Sequence, residues 1–121
     1  MRQTPPGWPP QVRPAGADGF VDTAVAWLLD QCPADYRGYA AWRRHPVALA
    51  WVTTRHVRAE MEAMRAAYRE ARVDLTDVVT PEALAEILDV LAAEGLRLRA
   101  TARAAGLLSD ALQGKEFIPR L

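Results

Sequence analysis

The feature that most limits the fold of this chain is a long segment whose apolar residues are spaced alternately three and four apart. No Gly or Pro interrupts residues 47–79. The spacing is the heptad pattern of packed α-helices and does not suit a strand. The line of apolar or small residues comprises Val47, Ala50, Thr54, Val57, Met61, Met64, Tyr68, Ala71, Leu75 and Val78.

A second segment repeats the pattern after a short turn. Thr80 is a favourable N-cap, Pro81 suits the first helical position, and Glu82 suits the positive end of the helix dipole. Pro46 offers the same start signal for the first segment, and Gly114 is a natural stop for the second. Residues recurring every seven positions in the second segment are Leu84, Leu91, Leu98, Ala105 and Leu112.

Together the two segments predict an all-α fold built on a long antiparallel helical hairpin, with helices at about 46–78 and 81–113. Ile87, Leu88 and Leu108 widen the apolar face of the second helix beyond what a two-helix seam needs. This width predicts a small bundle in which one or two shorter N-terminal helices pack on the hairpin.

A tight turn at 79–80 would place facing residues so that their numbers sum to about 159. Gly95 then lies beside Met64, and its lack of a side chain is expected to give that residue or the backbone room. The same register predicts ion pairs between the helices. The expected pairs are Arg65 with Glu94, Arg69 and Arg72 with Glu86 and Asp89, Glu62 with Arg97, and Glu60 with Arg99.

The residues before the hairpin predict one helix from Phe20 to Cys32, with Asp18 as its cap, and a short glycine-interrupted helix over 34–44. Pro33 ends the first of these helices. Because the residue before a proline disfavours the helical conformation, His45-Pro46 is expected to form a corner where the short helix meets the hairpin.

The chain is divided into a Pro-rich arm (1–18), a helical bundle domain (19–114) and an apolar tail (115–121). The five prolines of the arm favour extended polyproline II. The arm is interpreted as a flexible leader, as a strap anchored on its own bundle by Trp8, or as a docking segment for a partner. The tail either folds back on the bundle or is a short docking motif.

Composition restricts the class of protein. The chain has 121 residues, no net charge and 50% hydrophobic residues, which is typical of one soluble globular domain. Cys32 is the only cysteine, so no internal disulfide can form, and it is expected to be a small buried core residue. Neither a signal peptide nor a membrane-length apolar run is evident, and a cytoplasmic location is therefore expected.

Four stretches, PPGWPP, WLLDQCPADYR, RRHPVALA and the closing FIPRL, form a distinctive combination. In these stretches the chain resembles small helical proteins of actinobacteria to which no function is assigned. The resemblance therefore implies no activity, ligand or site.

No residue pattern indicates catalysis, a cofactor or a metal. His45 and His56, the only histidines, would lie about 16 Å apart along one helix and cannot share a metal ion. The acidic run Asp74, Asp77, Glu82, Glu86, Asp89 and Glu94 is interpreted as a solvated helix surface that gathers near the turn. We therefore expect a protein that is not an enzyme.

The function expected from this pattern is that of a protein-binding or assembly subunit, a helical adaptor that associates with another protein or with itself. Candidate partner-binding residues are Trp8, Val52, Val73, Phe117, Ile118 and Leu121. The alternative is a module that binds nucleic acid or phosphate at the arginine-rich end of the hairpin. Its candidate residues are Arg43, Arg44, Arg55, Arg58 and Arg103.

Overall fold

The structure is a computed structural model that describes residues 4–116. Within that range it contains four α-helices, one 3-10 helix and no strand, which confirms the all-α prediction. The elements in chain order are α1 (Phe20–Asp30), the 3-10 helix (Ala34–Gly38), α2 (Ala40–Arg44), α3 (Pro46–Asp74) and α4 (Pro81–Leu112).

Helices α3 and α4 pack against each other and form the predicted hairpin. With 29 and 32 residues, they are about 43 and 48 Å long. The Thr80 hydroxyl accepts a hydrogen bond from the Ala83 N–H at 3.1 Å, so Thr80 caps α4 as predicted. At the other end Gly114 has φ 80°, and the Gly114 and Lys115 N–H groups bond the Ala111 and Asp110 carbonyls. These two bonds are a Schellman motif, and they explain why α4 stops there.

The helix ends differ from prediction in three places. Helix α3 ends at Asp74 and not near Val78, because the Thr76 hydroxyl bonds the Arg72 carbonyl and the following residues form turns. Helix α1 ends at Asp30, two residues early. The predicted Asp18 cap is wrong, since Gly19 occupies the N-cap position and no side chain caps α1.

The core lies at the end of the hairpin away from the turn, which we call the base (residues 46–60 and 97–112). One face of α1 packs there, and a single cluster of buried side chains joins α1, α3 and α4. Its members are Val12, Phe20, Ala24, Val25, Leu28, Leu29, Leu49, Ala50, Ala105 and Leu108. The base is therefore three helices thick, as the wide apolar face of α4 predicted.

The Pro-rich arm is not the expected polyproline II helix. Its N–H groups at Trp8, Val12 and Ala17 bond the carbonyls three residues earlier, and the Phe20 N–H continues the series. The described arm is thus a chain of β-turns. Gly7, Gly16 and Gly19 each occupy the third position of a turn with φ between 79° and 94°, a conformation that type II turns require and that glycine adopts without strain.

The arm packs on the bundle from Pro5 onward. The Trp8 ring stacks on Phe20 at a centroid distance of 5.8 Å, and its Nε1 donates to the Val12 carbonyl at 3.0 Å. Val12 is buried in the core. Arg103 Nε donates to the Pro6 carbonyl at 3.0 Å and ties the arm to α4. Of the three interpretations of the arm, residues 4–18 agree with the second, a strap anchored on its own bundle by Trp8.

The register of the hairpin agrees with prediction, whereas its ion pairs do not. Met64 and Gly95 line the same groove. Glu62 pairs with Arg65 and Glu94 pairs with Arg97, each within one helix and not across to the other. None of the expected interhelical pairs occurs among residues 4–116. Side chains three residues apart on one helix already face each other, so these pairs form with less loss of conformational freedom.

Candidate interaction surfaces

A wall of aromatic residues connects the N-terminal elements to α3. The Tyr36 ring stacks on Trp42 at 5.3 Å and meets the edge of His56 at the same distance. The Tyr36 hydroxyl and His56 Nε2 share a hydrogen bond of 2.8 Å. His56 is half-buried there and joins two elements, while His45 is the exposed N-cap of α3. The two histidines therefore do not form a common site.

Beside this wall lies a polar cavity of about 360 Å³, lined in part by Cys32, His56, Glu60, Arg97 and Thr101. Cys32 is half-buried, not fully buried as predicted, and its Sγ lies 3.2 Å from Thr53 Oγ1. Burial raises the pKa of the Cys32 thiol, and the nearby Glu60 raises it further. A thiol held in its protonated form is a weak nucleophile.

The cavity also does not form a metal centre. In the part of the chain from residue 4 to 116, no three His, Cys, Asp or Glu side chains come together as a metal ion would require. The cavity is therefore a polar junction between helices, and the candidate surfaces lie elsewhere.

One exposed surface at the base combines aromatic and basic side chains. Val47, Trp51, Arg55 and Arg58 follow one another along α3 at helical spacing, and Arg44 immediately precedes it. We call these five residues the basic patch. Trp51 is 55% exposed, and the Arg55 guanidinium carbon lies 4.3 Å from the centre of its ring. Exposed tryptophan is uncommon on the surface of a monomer, whereas Trp and Arg are enriched at binding hot spots.

The five arginines of the predicted phosphate site are only partly brought together. Arg44, Arg55 and Arg58 belong to the basic patch. Arg43 donates to the Arg37 carbonyl at 2.6 Å. Arg103 holds the arm and contacts Gly7, so its donors are already used in part.

The predicted partner-binding residues are also dispersed. Trp8 and Val52 are half-buried, Trp8 in the arm and Val52 against the core. Val73 is 81% exposed and lies near the turn. Val52 and Val73 are 21 positions apart on α3, about 31 Å along its axis. Phe117, Ile118 and Leu121 lie outside the described residues.

A groove of about 740 Å³ lies near the point where the described chain ends. Thr4, Pro5 and Trp8 of the arm line it together with Phe20 of α1. The last part of α4 and the residues after it form the opposite wall, through Leu107, Asp110, Ala111, Leu112, Gly114, Lys115 and Glu116. The two ends of the described chain therefore meet at one site on the molecule.

Beyond the base, residues 61–96 form a hairpin of only two helices, which we call the distal hairpin. Ala71 and Leu88 are the only buried residues of this segment. Met61, Met64, Tyr68, Gly95 and Leu96 line a shallow groove of about 360 Å³ along it, together with Arg65, Arg69, Ala92 and Arg99. The lining of this groove is mostly apolar and includes three arginines.

The end of the distal hairpin carries exposed valines among acidic residues. Val73 and Val78 are 81% and 73% exposed, and Asp74, Asp77 and Glu82 are exposed beside them in the chain. We call these five residues the acidic tip. The acidic run was evident in the sequence, but the exposure of Val78 was not. The heptad pattern placed Val78 on the apolar seam of a helix that runs to residue 78, whereas α3 ends at Asp74.

Sequence reasoning also missed the exposure of Val90 and Leu96. Val90 and Leu96 are 66% and 64% exposed. Both residues lie outside the seven-residue repeat of α4, and this position in the pattern could have predicted that they are exposed.

Comparison of the chain with protein-family models, curated proteins and solved structures found no match in any of the three. Within residues 4–116, no helix has the length and apolar character needed to span a membrane.

Proposed function

We propose that this protein is a non-enzymatic interaction or assembly subunit, which binds another protein through the exposed part of its hairpin. The observation that carries the proposal is the contrast between the base and the distal hairpin. The base is three helices thick and holds a continuous core, whereas residues 61–96 have two buried residues and several exposed apolar ones.

Leaving the apolar side chains of this hairpin in contact with water costs free energy. Each exposed apolar side chain forgoes the stabilisation of burial, on the order of 1.5–3 kcal/mol for a fully buried Val or Leu. A third or fourth helix packed on a two-helix segment of this length would bury these side chains and stabilise it, as in four-helix bundles. Surfaces of this kind mark sites of protein contact.

The test is co-purification under conditions that remove nucleic acid. Tagged full-length protein and a Leu96→Glu, Val90→Glu double variant are recovered after nuclease treatment. We expect the wild type to retain a protein partner, another protein or a second copy, and the double variant to lose it. A matched Ala59→Glu, Ala100→Glu variant changes the net charge equally at two exposed positions outside the distal hairpin.

The outcome that contradicts the proposal is a wild-type chain that stays strictly monomeric and recovers no protein. Circular dichroism of the double variant distinguishes a lost contact from a lost fold. Both substituted residues of that variant are more than 60% exposed, so the fold is expected to persist.

A nucleic-acid or phosphate-binding module remains the second candidate because of one observation. Trp51 and Arg55 form an exposed stacked pair next to Arg44 and Arg58. Aromatic side chains that stack on bases, surrounded by cations, are how single-stranded nucleic acids are bound without sequence preference. Binding that falls steeply with added salt and disappears in Arg55→Glu, Arg58→Glu favours this candidate.

A further inference from the structure

Charge is separated along the molecule although its sum is zero. Residues 36–59 contain five arginines and no acidic residue, whereas residues 70–94 contain seven acidic residues and one arginine. The first segment includes the basic patch and the second includes the acidic tip. In the described chain, neither patch forms an ion pair, since the four pairs present involve other residues.

Each charged patch also has an exposed apolar centre. Trp51 and Val47 are 55% and 44% exposed within the basic patch. Val73 and Val78 are more exposed still within the acidic tip. An apolar centre with a charged surround is the usual arrangement of a protein interface, in which the centre supplies affinity and the surround supplies orientation.

The two patches cannot neutralise each other within one molecule. Trp51 and Val73 are 22 positions apart on the unbroken helix α3, which places them about 33 Å apart along its axis. That separation is more than three Debye lengths at about 0.1 M salt. Because α3 is a single helix, the chain cannot fold one patch onto the other.

We infer that the basic patch of one copy binds the acidic tip of a second copy, an inference that rests on the proposed function. Two antiparallel hairpins place each basic patch beside the tip of the other copy, so both contacts form at once and the assembly closes as a symmetric dimer. Nucleic acid is a poorer match, because it complements the basic patch alone and is repelled by the tip.

The test exchanges the charges at each end of the full-length protein. The basic variant is Arg55→Glu with Arg58→Glu, and the tip variant is Asp74→Lys with Asp77→Lys. Self-association is measured by sedimentation velocity at low and high salt. We expect each variant to raise the dissociation constant on the order of tenfold or more. A chain carrying all four substitutions regains association, as does an equimolar mixture of the two variants.

The matched control is Asp22→Lys with Asp35→Lys. These substitutions change the net charge as the tip variant does, at two exposed residues outside the tip. Association of this control is expected to stay at the wild-type level or rise. The tip substitutions are compatible with the fold, because Asp74 ends α3, where the helix dipole favours a positive charge.

Three outcomes overturn the inference. In the first, the wild type is monomeric at low salt, and co-purification then decides separately whether the proposed function survives with a different protein. In the second, the wild type associates but neither variant weakens it, so association uses another surface such as the distal groove. In the third, only the basic variant has an effect and it removes nuclease-sensitive material, which assigns the patch to nucleic acid.

Discussion

At the scale of single residues, the glycines show where side-chain space is limited and where it is free. A Cβ on Gly7 would lie 2.7 Å from Arg103 Nε, and its φ of 94° is unfavourable for other residues. A Cβ on Gly95 would meet nothing within 4 Å. The expectation that Gly95 makes room for Met64 or for a close backbone approach is therefore wrong, although the two residues do line one groove.

Gly95→Ala is consequently expected to stabilise the protein. Alanine in the interior of a helix reduces the conformational freedom of the unfolded chain, and the gain is roughly 0.5–1 kcal/mol in the free energy of unfolding. Urea unfolding followed by circular dichroism measures it. Gly7→Ala is the matched comparison and should lower stability, because the new methyl group displaces Arg103. A loss of stability in Gly95→Ala would mean that α4 is more tightly packed than described.

Residue identity alone also did not determine which charges pair. The sequence contains acids and bases at positions that face each other across the hairpin, yet Glu62 and Glu94 bond arginines three positions along their own helices. Both arrangements agree with the composition of the segment. Exposed pairs contribute less than about 1 kcal/mol each, so small differences in side-chain entropy decide between them.

At the scale of elements, the sequence predicts the bounds of the long helices better than it predicts the conformation of the arm. The heptad spacing, Pro46, Thr80 and Gly114 located both long helices to within a few residues. The proline content of the arm predicts polyproline II, but a glycine at the third position of a four-residue turn favours type II turn geometry instead. The PPGW and PAGA stretches carried that signal.

The arm is expected to act as a stabilising element of the bundle. Trp8→Ala removes the ring that stacks on Phe20 and the donor that bonds Val12. We expect the free energy of unfolding to fall by roughly 2–3 kcal/mol, since a half-buried aromatic contact and one hydrogen bond are lost. Thermal unfolding measures the effect. Tyr39→Ala removes an aromatic ring that is 54% exposed and should cost distinctly less.

If Trp8→Ala unfolds at the wild-type temperature, the arm contributes no stability and is available to a partner. Truncation of the arm would also affect the stability of the bundle. Because Val12 lies in the core, a chain that lacks residues 1–18 exposes Phe20 and its neighbours. Loss of a partner on truncation would therefore report a damaged bundle as readily as a missing docking segment.

At the scale of the whole molecule, stability is concentrated at one end. Most buried side chains lie in the base, while the distal hairpin relies on a two-helix seam. Backbone amides exchange with solvent through local opening, which costs least where few apolar contacts must break. The sequence predicts this difference between base and distal hairpin only in part. Heptads run the full length of both long helices and do not indicate how far along the hairpin α1 packs.

Amide hydrogen exchange is thus expected to form a gradient along the hairpin. Residues 49–57 and 98–108 should exchange most slowly, and residues 70–90 distinctly faster at a concentration where the chain is monomeric. Mass spectrometry of peptides from each half measures the difference. Raising the concentration into the associated range should slow exchange most at residues 70–90, because the basic patch lies on the base, which already exchanges slowly. Uniform protection along both helices of the monomer would show that the distal hairpin is as stable as the base.

The hydrogen bond between Arg103 and the Pro6 carbonyl affects the order in which parts of the chain can fold during synthesis. The two residues are 97 positions apart, and a ribosome adding about 5–20 residues per second needs roughly 5–20 seconds to travel between them. The arm is synthesised well before the part of α4 that holds it, and it is therefore among the last segments to pack on the bundle. During that interval Trp8 has been made but Arg103, which ties the arm to α4, has not. The nascent chain therefore exposes its aromatic and proline-rich arm to other molecules.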